Sequence, residues 1–514
     1  MGMTDYRTYE EAVEKFHFNQ VWDLFDGDRA RFNIAHECID RHVGKGIAIR
    51  IKFGDGHTEQ FTFDELSRLS SQFANALESI NINFGDRVAI MLDPSLEFYV
   101  SLFGTLKRGA IAVPCFTLFG VDAIRQRLND SEAKVLVTTE EKSRLVDSSS
   151  DVNLITVGSI FNKFVENRND TYVVNTSSRD ISVYQYTSGT TRKYAEAIKH
   201  YHRSLANLMP AAIFGRGLKE GDRFFCPSSP AWGHGLWIGT FAPLALGVPI
   251  GAYSGKFEAQ RLLEALEEFE INNISAAPTV FRMIKKSGLG DHYDLKIRKI
   301  HYTGEPMDMD TFTFLKERFG VWPISGYGST EAGPIIYNYA GFENWVVKPG
   351  SMGKPMPGLE VKLVDEEGHD VPVGQIGEIV IKRRGEWIRA KDAAVMDEDG
   401  YLWHRGRSDD IIISSGWTIS PNEVEDVLLK HNAVREAAVV GAPDKERGQI
   451  VKAFVVTDQK PGAGLVKELQ DFVKDRLSMH EYPREIEFLD ALPRTEGGKV
   501  KRKELKEMVS LSSP

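Results

Sequence analysis

A chain of 514 residues exceeds what one hydrophobic core can organise, so it should build a large multi-layer body with at least one smaller domain. At 42% hydrophobic and 26% charged it has ordinary globular composition, and a formal net charge of −10 excludes nucleic acid or an anionic membrane as its main partner, since either demands a surplus of Lys and Arg. Cys38, Cys115 and Cys226 are too scattered for a disulfide framework or a metal-ligand cluster, which fits a reducing cytoplasm.

The amino-terminal "MGMTDYRTYEEAVEKF" is polar and acidic, without the apolar core of a secretion signal, and Tyr6 breaks the myristoylation pattern that Gly2 would suggest. In "HECIDRH", His36 and His42 fall on different faces of a helix, unlike a zinc pair. From Thr62 the chain alternates helices and strands. The capping box Thr62-x-x-Glu65 opens a helix with Leu66, Leu69, Phe73, Leu77 and Ile80 on one face. Strand "RVAIML", helix "EFYVSLFGTLKRG" and strand "AIAVPC" follow. Such alternation predicts parallel βαβ units, an α/β body with helices covering the sheets. The most apolar run, "LWIGTFAPLALGVPIGAY", is interrupted by Pro243, Pro249 and several glycines and reads as buried helix and loop rather than a membrane span. Between about Gly350 and Arg405, short strands such as "LEVKLVD" and "GEIVIK" separated by turn residues predict a β-rich subdomain. After "GRSDD", the cap Ser420-Pro421-x-Glu423, strand-like "REAAVVG" and "KAFVVT", and the stripe Leu465, Leu469, Phe472, Val473 and Leu477 predict a compact α+β domain. The expected division is 1–408 for the large domain and 409–514 for the small one.

The chain has no G-x-x-x-x-G-K-[ST] loop and no G-x-S-x-G elbow. It carries instead, in order, "YTSGTTRKYAEAIKH" (186–200), "TGEP" (303–306), "GYGSTEAG" (326–333), "MDEDGYLWHRGRSDD" (396–410) and "LPRTEGGKVKR" (492–502). Thr187, Ser188, Gly189, Thr190 and Thr191 offer hydroxyls and backbone N–H groups as a cradle for phosphate.

Taken together, these motifs resemble the adenylate-forming superfamily of acyl-CoA synthetases, non-ribosomal adenylation domains and luciferases, and the resemblance covers nearly the whole chain. It implies activation of a carboxylate by ATP as an acyl-adenylate, then transfer to a thiol. Electrostatic stabilisation rather than a general base would carry the first step, because negative charge accumulates where carboxylate meets triphosphate. By resemblance, Tyr327 lies against adenine, Thr330 at the α-phosphate and Glu331 on Mg²⁺, while Gly304, Glu305 and Pro306 flank the base. Asp392 and Arg407 would grip the ribose, although Ala390-Lys391 stands where family members usually show Thr-Gly. Asp409 matches the hinge between domains, and Lys499 the lysine that the small domain brings to the α-phosphate and carboxylate. Relative to the family's "TSGTTGxPKG", Arg192 replaces glycine and the proline–lysine pair is absent, so the cationic role falls to Arg192 or Lys193.

"SSPAWGHGLW" resembles the segment lining the acyl site, with Trp232 and His234 as candidates and Trp237 as pocket or core alike. Acetate-activating relatives place a tryptophan at the position of Gly328, which predicts a larger pocket here, for a medium-chain, branched, alicyclic or aromatic acid. "SSGWTISPNEVE", with Ser415, Gly416 and Trp417, is similar to the loop lining the pantetheine tunnel, which points to CoA as acceptor. Loading of a carrier protein, or weak nucleotide binding without turnover, are the alternatives. The sequence leaves open a homo-oligomer and the physiological direction.

Overall fold

The computed structural model describes the chain apart from residues 1, 147–150, 187–196, 305–306, 330–332, 384, 415–416, 445–446, 478–480, 495–499 and 513–514; of residues 329, 409, 413, 417, 418, 448 and 510–512 it describes only the backbone. Two compact units emerge. One comprises Met1–Tyr327, Ile336–Gly350 and Met356–Gly358; the other comprises Gly328–Ile335, Ser351–Pro355 and Leu359–Pro514.

The first unit holds two sheets. One orders its strands Asn153–Thr156, Ala133–Thr138, Arg87–Met91, Ile111–Pro114, Ile181–Tyr186 and Ala197–Tyr201, all parallel except the last. In the other, Pro323–Ser329, Lys299–Tyr302, Asn273–Ala276, Phe224–Phe225, Ile250–Ser254 and Ile47–Phe53 run parallel, and Thr58–Thr62 closes the edge antiparallel. The helix Phe63–Ser79 begins at the reciprocal Thr62–Glu65 cap, as its sequence predicts. Helix Leu96–Lys107 is buried from Phe98 to its end, which explains why apolar residues lie on every side of it, with Ser101, Thr105 and Lys107 as polar exceptions. Its buried Lys107 is neutralised by Asp40 at 2.6 Å.

The second sheet treats its faces differently. Phe225, Ile274, Ala276, Ile300 and Tyr302 pack on Leu262, Leu266, Phe281, Phe312 and Leu315 of the covering helices. The other face carries Asn273 and Ser275 beside their register partners Lys299 and His301. All of these but the partly exposed Lys299 are buried. Polar residues on an interior face must find partners. Lys299 pairs with Asp222 at 2.8 Å, and Asn273 donates to the same carboxylate at 3.4 Å.

In the second unit, strands Val361–Val364, Ile376–Arg383, Glu386–Met396 and Leu402–Arg407 form an antiparallel sheet. A further sheet orders Trp417–Ile419, Ile412–Ser414, Gly448–Val456 and Glu436–Asp444, with Glu485–Phe488 parallel to Gly448–Val456. By compactness the β-rich stretch groups with residues 409–514, so the two compact units part near Leu359. The reason lies in cross-links: the Ser420 hydroxyl donates to the Arg405 carbonyl at 2.7 Å, and Arg405 reaches Glu423 at 3.3 Å. No helix among the described residues is long and apolar enough to cross a membrane.

Candidate active site

Ligands of open parallel sheets gather outside the carboxyl ends of the strands, and in the first unit the predicted segments collect there. Strand Ile181–Tyr186 leads into 187–196. The amide of Gln185, at its end, donates to the Ala231 carbonyl at 3.4 Å, and a side chain at Gly233 would meet Gln185 Oε1 at 3.2 Å. This joins the end of the strand that leads into 187–196 to "SSPAWGHGLW". Trp232, 40% exposed, sets its ring edge-on to His234 with centroids 5.3 Å apart. The same indole closes on Gly304: a Cβ there would lie 3.2 Å from it, and φ is +96°. Gly304 is therefore glycine on two counts, backbone conformation and ring approach. The neighbouring Thr303 hydroxyl donates to the Gly326 carbonyl at 2.9 Å, which ties "TGEP" to the strand that ends in Tyr327.

Gly326 has its own reason. A Cβ there would sit 2.4 Å from the Tyr337 ring, and one at Gly215 would sit 2.8 Å from the same ring. Tyr337 is held from a third side by Arg216, whose guanidinium lies 5.3 Å from the ring centroid and 3.4 Å from the hydroxyl. The glycine preceding Tyr327 thus lets the tyrosine-backed strand close up.

His234 is the most constrained of the expected residues. It opens a π-helix, His234–Phe241, a geometry concentrated at functional sites. Its Nδ1 lies 2.9 Å from Ser228 Oγ and its Nε2 2.8 Å from Ser275 Oγ. Burial, then the nearby Arg216 charge, push its pKa down to about 3, so the ring is neutral at physiological pH. Ser275 and Arg216 lie outside the motifs, and Ser228 opens "SSPAWGHGLW" without a signal of its own; the one signal for Ser275 is the polar–apolar alternation of "NISA".

In the second unit, Asp392 faces its register partner Arg407, with Oδ1 3.8 Å from Nη1, and His404 Nε2 lies 3.4 Å from the same oxygen. The preceding Lys391 has φ +61°, the left-handed conformation that favours glycine. Lys391 therefore stands in a conformation that glycine would adopt without strain. Gly328 also belongs to this unit. A Cβ there would stand 2.5 Å from the Gly333 carbonyl oxygen, so backbone approach alone requires glycine. A tryptophan introduced at that position would thus clash before it could wall off a pocket.

Asp409 lies in the short 3₁₀ helix Ser408–Asp410, and the next residue, Asp410, accepts from Lys506 at 2.7 Å. Trp417 begins strand Trp417–Ile419. Thr187, Ser188, Gly189, Thr190, Thr191, Arg192, Lys193, Glu305, Pro306, Thr330, Glu331, Ser415, Gly416 and Lys499 lie outside the described residues.

The profile described as "AMP-binding enzyme" matches residues 38–386, and that of the "AMP-binding enzyme C-terminal domain" matches residues 423–499. The acetyl-coenzyme A synthetase of Bacillus subtilis (strain 168) is 32% identical, over 98% of this chain and 96% of its own length. The mitochondrial acyl-coenzyme A synthetase ACSM3 of Mus musculus is 32% identical, over 92% and 90% respectively. The crystal structure of the anthranilate CoA ligase AuaEII in complex with anthranoyl-AMP superposes with a TM-score of 0.80 at 29% identity, covering 94% of this chain and 98% of that one. The chain belongs to the AMP-binding enzyme family, the adenylate-forming superfamily of acyl-CoA synthetases.

Proposed function

We propose that this protein is an AMP-forming acyl-CoA synthetase that activates a medium-chain, branched, alicyclic or aromatic carboxylate with ATP and passes the acyl group to CoA. The observation that carries this reading is the convergence, at the carboxyl ends of the first unit's strands, of Gln185, Trp232 and His234, and Thr303, Gly304 and Gly326. In the first half-reaction a carboxylate oxygen attacks the α-phosphorus, the bond to the bridging oxygen of the β-phosphate breaks, and pyrophosphate leaves. Carboxylate and triphosphate repel each other. The chain's answer is cationic: Lys499 at the α-phosphate and carboxylate, and Arg192 or Lys193 at the leaving pyrophosphate. Mg²⁺, with Glu331 as its protein ligand, supplies further charge neutralisation when bound.

The Asp392 carboxylate, oriented by His404 and Arg407, is suited to accept from the two ribose hydroxyls. In the second half-reaction the CoA sulfur attacks the acyl carbon, the thiol proton is released, and AMP departs. Ser415, Gly416 and Trp417 would line the pantetheine path, and rotation about Asp409 would exchange Lys499 for that path.

A panel of carboxylates assayed for AMP release with and without CoA tests the reading. CoA-dependent release with six- to eight-carbon, alicyclic or aromatic acids exceeding that with acetate is expected. Preference for acetate would overturn the pocket assignment. Pyrophosphate exchange without any response to CoA would favour loading of a carrier protein, and no exchange at all would leave only nucleotide binding.

A further inference from the structure

Residues 495–499 lie outside the described residues, but the chain on either side of them is described and meets itself. Arg494 and Val500 form an isolated antiparallel bridge, and the Lys501 N–H donates to the Pro493 carbonyl at 2.8 Å. The chain therefore departs and returns at one place. On the departing side Arg494 Nη2 donates to Glu436 Oε2 at 2.5 Å. On the returning side Val500 packs on Leu492, Phe454, Leu505 and their neighbours, and Arg502 opens the helix Arg502–Ser512.

Arg502 is fastened more closely than its neighbours. Its Nη2 lies 2.6 Å from both carboxylate oxygens of Glu425 and 3.2 Å from Asn422 Oδ1, and Glu425 Oε1 also accepts from the Val439 N–H at 2.7 Å. One turn on, Lys506 reaches Asp410, the residue after Asp409. The start of the last helix is thus tied to helix Pro421–Leu428, and its next turn to the proposed hinge.

Stability does not account for the Arg502–Glu425 pair. The two side chains are only 24% and 13% exposed, and ion pairs so far removed from water gain little more than their desolvation costs. Burial pushes the Glu425 carboxyl above its ordinary pKa even with the Arg502 charge against it. What three acceptors on one guanidinium nitrogen do supply is a fixed direction for the chain at 502, close in sequence to Lys499. A cation that must meet developing charge acts best when already in place, and a misplacement of about 1 Å can cost on the order of 100-fold in rate.

We infer that Arg502, clasped by Glu425 and Asn422, is a positioning residue for adenylation, acting through Lys499 by fixing the base of the 494–500 loop. The inference rests on the acyl-CoA synthetase reading and adds to it residues that have no assigned contact with substrate.

The test measures the two half-reactions separately in Arg502→Met and, so that no buried carboxylate is left alone, in Arg502→Met combined with Glu425→Gln, whose amide oxygen can still accept from Val439. In both, acyl-adenylate formation should fall about tenfold or more, while conversion of supplied acyl-adenylate and CoA to thioester stays within about twofold of wild type. Added to Lys499→Ala, Arg502→Met should slow the residual adenylation by less than about twofold, because there is no longer an amine to place. A further readout needs no turnover. Tryptic cleavage of the full chain after Lys499, followed by mass spectrometry, should quicken about fivefold or more in the double variant relative to cleavage within residues 1–327. Equal losses in both half-reactions, a further tenfold loss in the Lys499→Ala background, or an unchanged relative cleavage rate would overturn the inference. If the wild type forms no acyl-adenylate from any acid, the proposed function itself fails, and the relative cleavage rate alone decides the clasp.

Discussion

Lys391 occupies a backbone conformation, φ +61°, that costs a side-chain-bearing residue roughly 1–2 kcal/mol. It adjoins a bulge: the pairing of strand Ile376–Arg383 with Glu386–Met396 shifts between Glu378 and Val380, and Glu378 Oε1 accepts from the Lys391 N–H at 3.2 Å. The bulge carries Asp392 next to it, so its shape is part of the presentation of that carboxylate. Lys391→Gly removes the left-handed penalty but adds chain entropy to the unfolded state, for a net gain of about 1 kcal/mol. Urea unfolding should show it as a raised midpoint with the slope retained. A lowered midpoint would mean that the lysine side chain contributes more than its backbone costs.

Among the elements, the 3₁₀ turn Ser408–Asp410 holds the proposed hinge Asp409 and is followed by the Asp410–Lys506 contact. Asp409 is in its first turn, where proline is tolerated. Asp409→Pro should therefore fold, yet lose the freedom to change φ. If rotation there separates the half-reactions, one of them, acyl-adenylate formation or thioester formation from supplied acyl-adenylate, should survive while steady-state turnover collapses. Near-normal turnover would show that the chain pivots elsewhere. The companion experiment concerns Lys499. Lys499→Ala should abolish adenylate formation, at a cost of roughly 3 kcal/mol or more of transition-state stabilisation, and still convert supplied acyl-adenylate and CoA to thioester. An equal loss in both steps would remove Lys499 from its assigned role.

Across the whole molecule, buried histidines make stability depend on pH. Burial pushes His42, His200 and His202 down to about 4 and His234 to about 3. Each remains unprotonated in the folded chain while the unfolded chain takes up a proton below about 6.5. Stability is thus fully present above that pH and is lost as pH falls from about 6.5 towards 4, by up to about 3 kcal/mol for a fully buried ring such as His202. His202→Gln retains an acceptor for the Ile34 N–H that now reaches Nδ1 at 3.1 Å, without a titrating group. Between pH 6 and 5 the slope of unfolding free energy against pH should flatten by about one proton's worth relative to wild type. An unchanged slope would show that His202 does not govern this acid sensitivity.

The sequence by itself determined the alternating α/β body, the helix that starts at Thr62, the cap at Ser420 and the family of motifs, because each depends on neighbours a few residues away or on fixed short patterns. Period and capping are local properties, and they survive without knowledge of what packs against them. Only the tertiary structure decided which strand face is polar, since Ser275 and His301 lie far apart in the chain and meet through parallel pairing. It also decided why Gly304, Gly326 and Gly328 are glycines, each met by a ring or a carbonyl from elsewhere in its own unit. The π-helix at His234 has no sequence period that separates it from an α-helix, and the grouping of residues 359–408 with the carboxyl-terminal domain comes from cross-links such as Ser420 to Arg405. Those features depend on which surfaces meet, a property of the folded chain that no short window of sequence contains.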